Sequence, residues 1–179
     1  MKKLLIFVLL LASLAYIGKA AAFRYIAPTD THDLSYSEIS IAPKIVDMVK
    51  NRQFAATLTE ADVNSLLKQA LARHPQLNDE VTVTGADFHL DGSRLTADLN
   101  LLYHGNIPIG ATCYFQLSAA GSVLTATYDG ATVKAIAIPP AWVTVPPLEI
   151  DLNEYMPSLV GIDRIDFAGT GVTLHFALR

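Results

Sequence analysis

The chain has 179 residues, with 13 basic side chains against 17 acidic ones and a formal net charge of −4. Hydrophobic residues make up 51% of it and the mean hydropathy is +0.34, which excludes a disordered chain. The single cysteine, Cys113, excludes a disulfide scaffold.

The length suits one domain with a sizeable core. Past residue 22, ten basic residues face all 17 acidic ones, and between Pro75 and Lys134 the only basic residues are Arg94 and Lys134. Such a surface repels phosphate backbones, so nucleic acid is not an expected partner.

Met1-Lys2-Lys3 is followed by an uncharged apolar run, Leu4 to Ile17. The run is short for a membrane span, which needs about 20 residues, but Lys19 can snorkel and the residues up to Tyr25 can lie in the interface. Two readings stay open. One is an uncleaved signal-anchor helix over 1–25, making the protein single-pass. The other is a secreted chain, cleaved after the small residues around Ala20-Ala21-Ala22. In both, the two lysines stay inside and the rest lies outside the cytoplasm. The polar stretch 26–40 reads as a linker, and 41–179 as the extracytoplasmic domain.

Two helices are predicted next. Pro43 opens the first, which runs to about Arg52 with Ile45, Val46, Met48 and Val49 on its apolar side. Thr59-Glu60-Ala61-Asp62 reads as a capping box for the second, with Asp62 where Glu or Gln is usual. Val63, Leu66, Leu67, Ala70 and Leu71 then form one stripe, and His74-Pro75 ends the helix.

A curved antiparallel β-meander follows. Asp91-Gly92 predicts a two-residue hairpin turn that sets Phe88 opposite Leu95 and Ala86 opposite Ala97. A bulge at Gly85 then brings Val83 opposite Leu99. The loop His104-Gly105-Asn106 sets Leu101 against Ile109, Leu99 against Ala111, Ala97 against Cys113 and Leu95 against Phe115. A turn at Ala120-Gly121 sets Leu117 against Leu124, Phe115 against Ala126 and Cys113 against Tyr128. One face is thus apolar, while Thr96, Asp98, Asn100, Thr112, Gln116, Thr125 and Thr127 face water. Asp151 is placed to cap a short turn. Val172, Leu174, Phe176 and Leu178 share one face of a last strand or hairpin of the same sheet. The fold class expected is α+β, with two helices packed on one curved meander.

Catalytic motifs are missing: there is no P-loop, GxGxxG, HExxH, CxxC or GxSxG. No enzymatic activity, cofactor or metal site is therefore expected. Asp87, His89, Asp91 and Asp98 read as solvated residues of the polar face and a turn. The excess of apolar, sheet-forming residues points instead to a groove for a lipid or other apolar ligand between helix and sheet. It would be lined by Leu66, Leu67, Leu71, Leu95, Leu99, Ile109, Phe115 and Leu124, with Trp142 at the rim. The alternative is a solid core, and with it an envelope assembly or protein-interaction module. The partners expected are accordingly the membrane, an acyl chain or another envelope protein.

The segment Thr57-Leu58-Thr59-Glu60-Ala61-Asp62-Val63-Asn64-Ser65-Leu66-Leu67 resembles a helix pattern of the YpmS-like family. Phe88-His89-Leu90-Asp91-Gly92 and Val133-Lys134-Ala135-Ile136-Ala137-Ile138-Pro139 resemble that family too, although Ala135 or Ile136 stands where a glycine is common. The resemblance implies an uncharacterised, single-pass, extracytoplasmic protein with no catalytic residues to carry over. More distantly, helices beside a curved meander are similar to tubular lipid-binding domains. Asn64 is the one polar position that stands out, and it reads as making a helix-surface or helix–loop hydrogen bond.

Overall fold

The structure is a computed structural model that describes residues 24–37, 54–77, 79–142, 147–156 and 160–178. The apolar run Leu4–Ile17 and the helix expected from Pro43 lie outside the described residues. Among those described, the elements in chain order are β1 (Ala55–Thr59), α1 (Glu60–Arg73), β2 (Val81–Asp91), β3 (Arg94–Tyr103), β4 (Ile107–Ala120) and β5 (Val123–Val133). They are followed by β6 (Ile136–Ile138), β7 (Leu148–Asp151), β8 (Val160–Ala168) and β9 (Gly171–Leu178).

This corrects the expected α+β class. The described chain is mainly antiparallel β, with α1 its one helix of more than a turn. The 160–178 hairpin does not extend the meander. It forms a second sheet of order β1-β9-β8, apart from the curled sheet β2-β3-β4-β5-β6, along whose β5 edge β7 also pairs. The physical reason lies in Ala55–Thr59, a short stretch between the two predicted helices. It pairs with β9, Ala56 opposite Leu174 and Leu58 opposite Val172, and gives the hairpin an edge more than a hundred residues away.

The capping box is formed. The Thr59 hydroxyl accepts from the Asp62 N–H at 3.2 Å, and the Asp62 carboxylate accepts from the Thr59 N–H at 3.0 Å. The helix ends at Arg73, ahead of Pro75. Asp151 caps the short 3-10 turn Leu152–Tyr155 by accepting from the Asn153 N–H at 2.9 Å.

The β3–β4 register is as the three-residue loop implies, with Leu101 opposite Ile109, Leu99 opposite Ala111, Ala97 opposite Cys113 and Leu95 opposite Phe115. The two flanking hairpins differ by two residues. Phe88 faces Ala97, Ala86 faces Leu99 and Val83 faces Leu101. Leu117 faces Ala126 and Phe115 faces Tyr128. The turns are centred on Gly92-Ser93 and Gly121-Ser122, each with its glycine first and in the left-handed region, φ +58° and +60°. A slip of two preserves every face. The β2 bulge lies between Val83 and Gly85. A second bulge, at Asp129 of β5 opposite Tyr114 and Phe115, which the sequence did not reveal, leaves Cys113 opposite Ala131 rather than Tyr128.

The core lies between the two sheets. Ala86, Phe88, Leu90, Leu95, Ala97 and Leu117 of the curled sheet meet Val160, Ile162, Ile165, Val172, Leu174 and Phe176 of the small one. Val63, Leu67 and Leu71 of α1 close one side.

Candidate functional site

The outer edge of β2 organises the surroundings of the site. Its unpaired amides alternate along the strand, and each finds an acceptor on the 28–34 stretch, on α1 or in the β8–β9 turn. Ala86 N–H donates to the Asp33 carbonyl (3.2 Å), Phe88 N–H to Asn64 Oδ1 (3.2 Å), Leu90 N–H to Glu60 Oε1 (3.0 Å) and Gly92 N–H to the Gly169 carbonyl (2.7 Å). An exposed edge would otherwise invite pairing with another chain. Asn64 therefore bonds a strand, and not the helix surface or a loop as expected. It bridges α1 to the sheet, with its amide also donating to Asp87 Oδ1 at 2.8 Å.

The polar face of the curled sheet carries aligned rows. Gly85, Asn100 and Gly110 lie side by side across β2, β3 and β4. Asp87, Asp98, Thr112 and Thr132 make the next row across β2 to β5. The two glycines leave a furrow, and residues 28–33 lie in it. A Cβ on Gly85 would stand 2.0 Å from the His32 carbonyl oxygen, and one on Gly110 would stand 2.7 Å from Pro28 Cα. No side chain fits at either place. The Asn100 amide donates to the His32 carbonyl at 3.4 Å, and Lys134 Nζ donates to Thr29 Oγ1. Leu34 then packs against the core. Thus 28–34 is a strap across the sheet, where composition alone reads as a spacer. It covers Asn100, which is only 6% exposed although the alternation placed it in water.

Between strap and sheet lies a cleft of about 390 Å³. Pro28, Thr29, Asp30 and His32 line it from the strap, and Asp98, Asn100, Thr112, Thr132, His89 and Lys134 from the sheet side. Leu99, Gly110 and Ala111 also border it; strand alternation points the Leu99 and Ala111 side chains to the apolar face. Asp98 accepts from the Thr112 hydroxyl at 2.5 Å. His89 stands among three carboxylates, 3.3 Å from Glu60, 3.4 Å from Asp87 and 3.8 Å from Asp98, and Lys68 lies 3.6 Å from Asp87. Among the described residues, no group of three or more His, Cys, Asp or Glu side chains is placed to hold a metal ion. The cleft offers donors and acceptors of both charges, which suits a small polar ligand that makes hydrogen bonds in both directions.

Groups of the strap and the curled sheet have shifted proton affinities. The hydroxyl and backbone N–H of Ser35 hold the Asp33 carboxyl below its ordinary value. Burial, with Asp98 nearby, pushes the Cys113 thiol up to about 11. Burial also raises Tyr128.

The residues expected to line an apolar groove lie on the other face. Leu95 is buried in the core, and Leu67, Leu71, Leu99, Phe115 and Leu124 are packed against it. Leu66 and Ile109 are half-buried. The Trp142 side chain lies outside the description. Sequence reading missed Asp30, His32, Thr132 and Lys134. The available signal was a pair of glycines on alternate strands of one polar row, which marks close backbone approach. Comparison of the chain with family models, curated proteins and solved structures finds no match to any of them.

Proposed function

We propose that this protein is a non-catalytic, extracytoplasmic binding module, anchored by its N-terminal apolar run, that takes a small polar ligand in the cleft beneath the 28–34 strap. The observation that carries this reading is the position of the cleft. It opens on the polar face, where side chains able to donate and accept converge, whereas the residues between α1 and the two sheets belong to, or pack on, one buried cluster. That cluster favours a solid core over an acyl groove between helix and sheet. The extracytoplasmic placement rests on Lys2 and Lys3 ahead of the apolar run. Among the described residues no helix is long and apolar enough to cross a membrane, and the run itself lies outside them.

Native mass spectrometry of the full chain, purified from the membrane in which it is made, tests the reading. A co-purified small polar molecule supports it. A co-purified acyl lipid would instead support the apolar groove and overturn the polar cleft. A phosphatase fusion at residue 30 that is active only inside the cell would overturn the location.

A further inference from the structure

The strap is seated tightly at two points and tied at few. Pro28 lies on Gly110 and the His32 carbonyl on Gly85, so the fit depends on two missing side chains. Among the described residues, its hydrogen bonds to the sheet are the Ala86 N–H to the Asp33 carbonyl, the Asn100 amide to the His32 carbonyl, and Lys134 to Thr29. Thr29, Asp30, Thr31 and Asp33 are exposed. The neighbouring β2 amides at Phe88 and Leu90 are held by α1, an element with its own capping box and packed stripe. Adjacent amides of one strand edge are thus held by two elements that can separate independently. The strap residues Pro28, Thr29, Asp30 and His32 also wall the cleft.

We propose that residues 28–33 act as a liftable roof. The strap leaves the glycine furrow as a unit to admit ligand to the cleft and reseats over it, while both sheets stay folded. This rests on the cleft being the ligand site, but the lifting itself is measurable without ligand.

Hydrogen exchange on the full chain provides the first test. The Ala86 amide is expected to exchange at least tenfold faster than the Phe88 and Leu90 amides, at a rate that low denaturant leaves unchanged, because local opening exposes little surface. Exchange of all three amides at one denaturant-dependent rate would overturn the proposal, since the strap would then open only with the whole fold.

Access to the cleft provides the second. A thiol placed in it by Thr112→Cys, in a Cys113→Ser background, reports entry of a maleimide. Adding Gly110→Ala, which collides with Pro28, is expected to raise the labelling rate at least tenfold. Lys134→Met, which removes the Thr29 tie without a collision, is expected to raise it severalfold and covers the case in which Gly110→Ala does not fold. Equal labelling with and without Lys134→Met overturns the roof. A failure of the ligand reading shows separately, as a lifting strap on a chain that carries no polar ligand by mass spectrometry.

Discussion

Asn64→Ala removes the side chain that joins α1 to the edge of β2. Two hydrogen bonds are lost, one from the Phe88 N–H at 3.2 Å and one to the Asp87 carboxylate at 2.8 Å. A neutral bond contributes about 1 kcal/mol and one to a charged group about 1.5–3 kcal/mol. Both sites are part-buried, so water recovers some of the loss, and the expected cost is about 2–3 kcal/mol. Alanine's better helix propensity returns about 0.5 kcal/mol. Urea unfolding followed by circular dichroism reads this as a lower midpoint with an unchanged slope. Asn64→Asp keeps an acceptor for Phe88 but sets a second carboxylate against Asp87. Its loss should be relieved by Asp87→Asn, giving a coupling of at least about 0.5 kcal/mol in a double-mutant cycle. A cost under about 0.5 kcal/mol for Asn64→Ala, the range of an ordinary surface change, would refute the edge-capping argument.

Three further outcomes are expected. Asn100→Ala should cost about 1 kcal/mol in urea unfolding, because Asn100 is buried beneath the strap and donates to the His32 carbonyl; a surface-like loss would mean the strap is not seated. Cys113, with its thiol raised from 9.0 to about 11, should react with a thiol reagent at pH 8 roughly a hundredfold more slowly than an ordinary cysteine on thiolate fraction alone, and urea should restore the ordinary rate. Asp33 should titrate below 3.8 by NMR, and Ser35→Ala should move it upward. Because its folded value is depressed, the ordering that Asp33 gives the strap is present above the unfolded value and is lost as pH falls through the folded one.

What could be read from the sequence depended on whether the determinant was local. The Thr59–Asp62 capping box, the stop at Pro75, the loop at Gly105 and the bulge beside Gly85 are each set by a few neighbouring residues, and each was legible. At Gly92 and Gly121 the turn was found but centred one residue early, because a left-handed glycine opens these turns rather than closing them. The faces survived that slip, so the apolar face and most of the core could be assigned. The partition into two sheets was not legible. It depends on Ala55–Thr59 pairing with Gly171–His175, and no turn or periodicity encodes a contact of that separation. The cleft failed for the same reason. Its sheet side was visible as Asp98, Asn100 and Thr112, but its roof comes from Pro28–His32, a stretch whose polarity resembles that of a solvated spacer until the glycines beneath it are aligned.

The central claim is that ligand binds on the polar face of the curled sheet and not on its apolar face. Thr112 and Ala111 are consecutive on β4 and point to opposite faces, so one measurement decides between them. The species that co-purifies with the full chain is quantified by native mass spectrometry for Thr112→Trp and for Ala111→Trp. Filling the cleft with Thr112→Trp is predicted to abolish the bound species while leaving the chain folded. Ala111→Trp is predicted to retain the ligand at a stability cost of about 1–3 kcal/mol from overpacking. Loss of the bound species in Ala111→Trp, with retention in Thr112→Trp and both variants folded, would contradict the account.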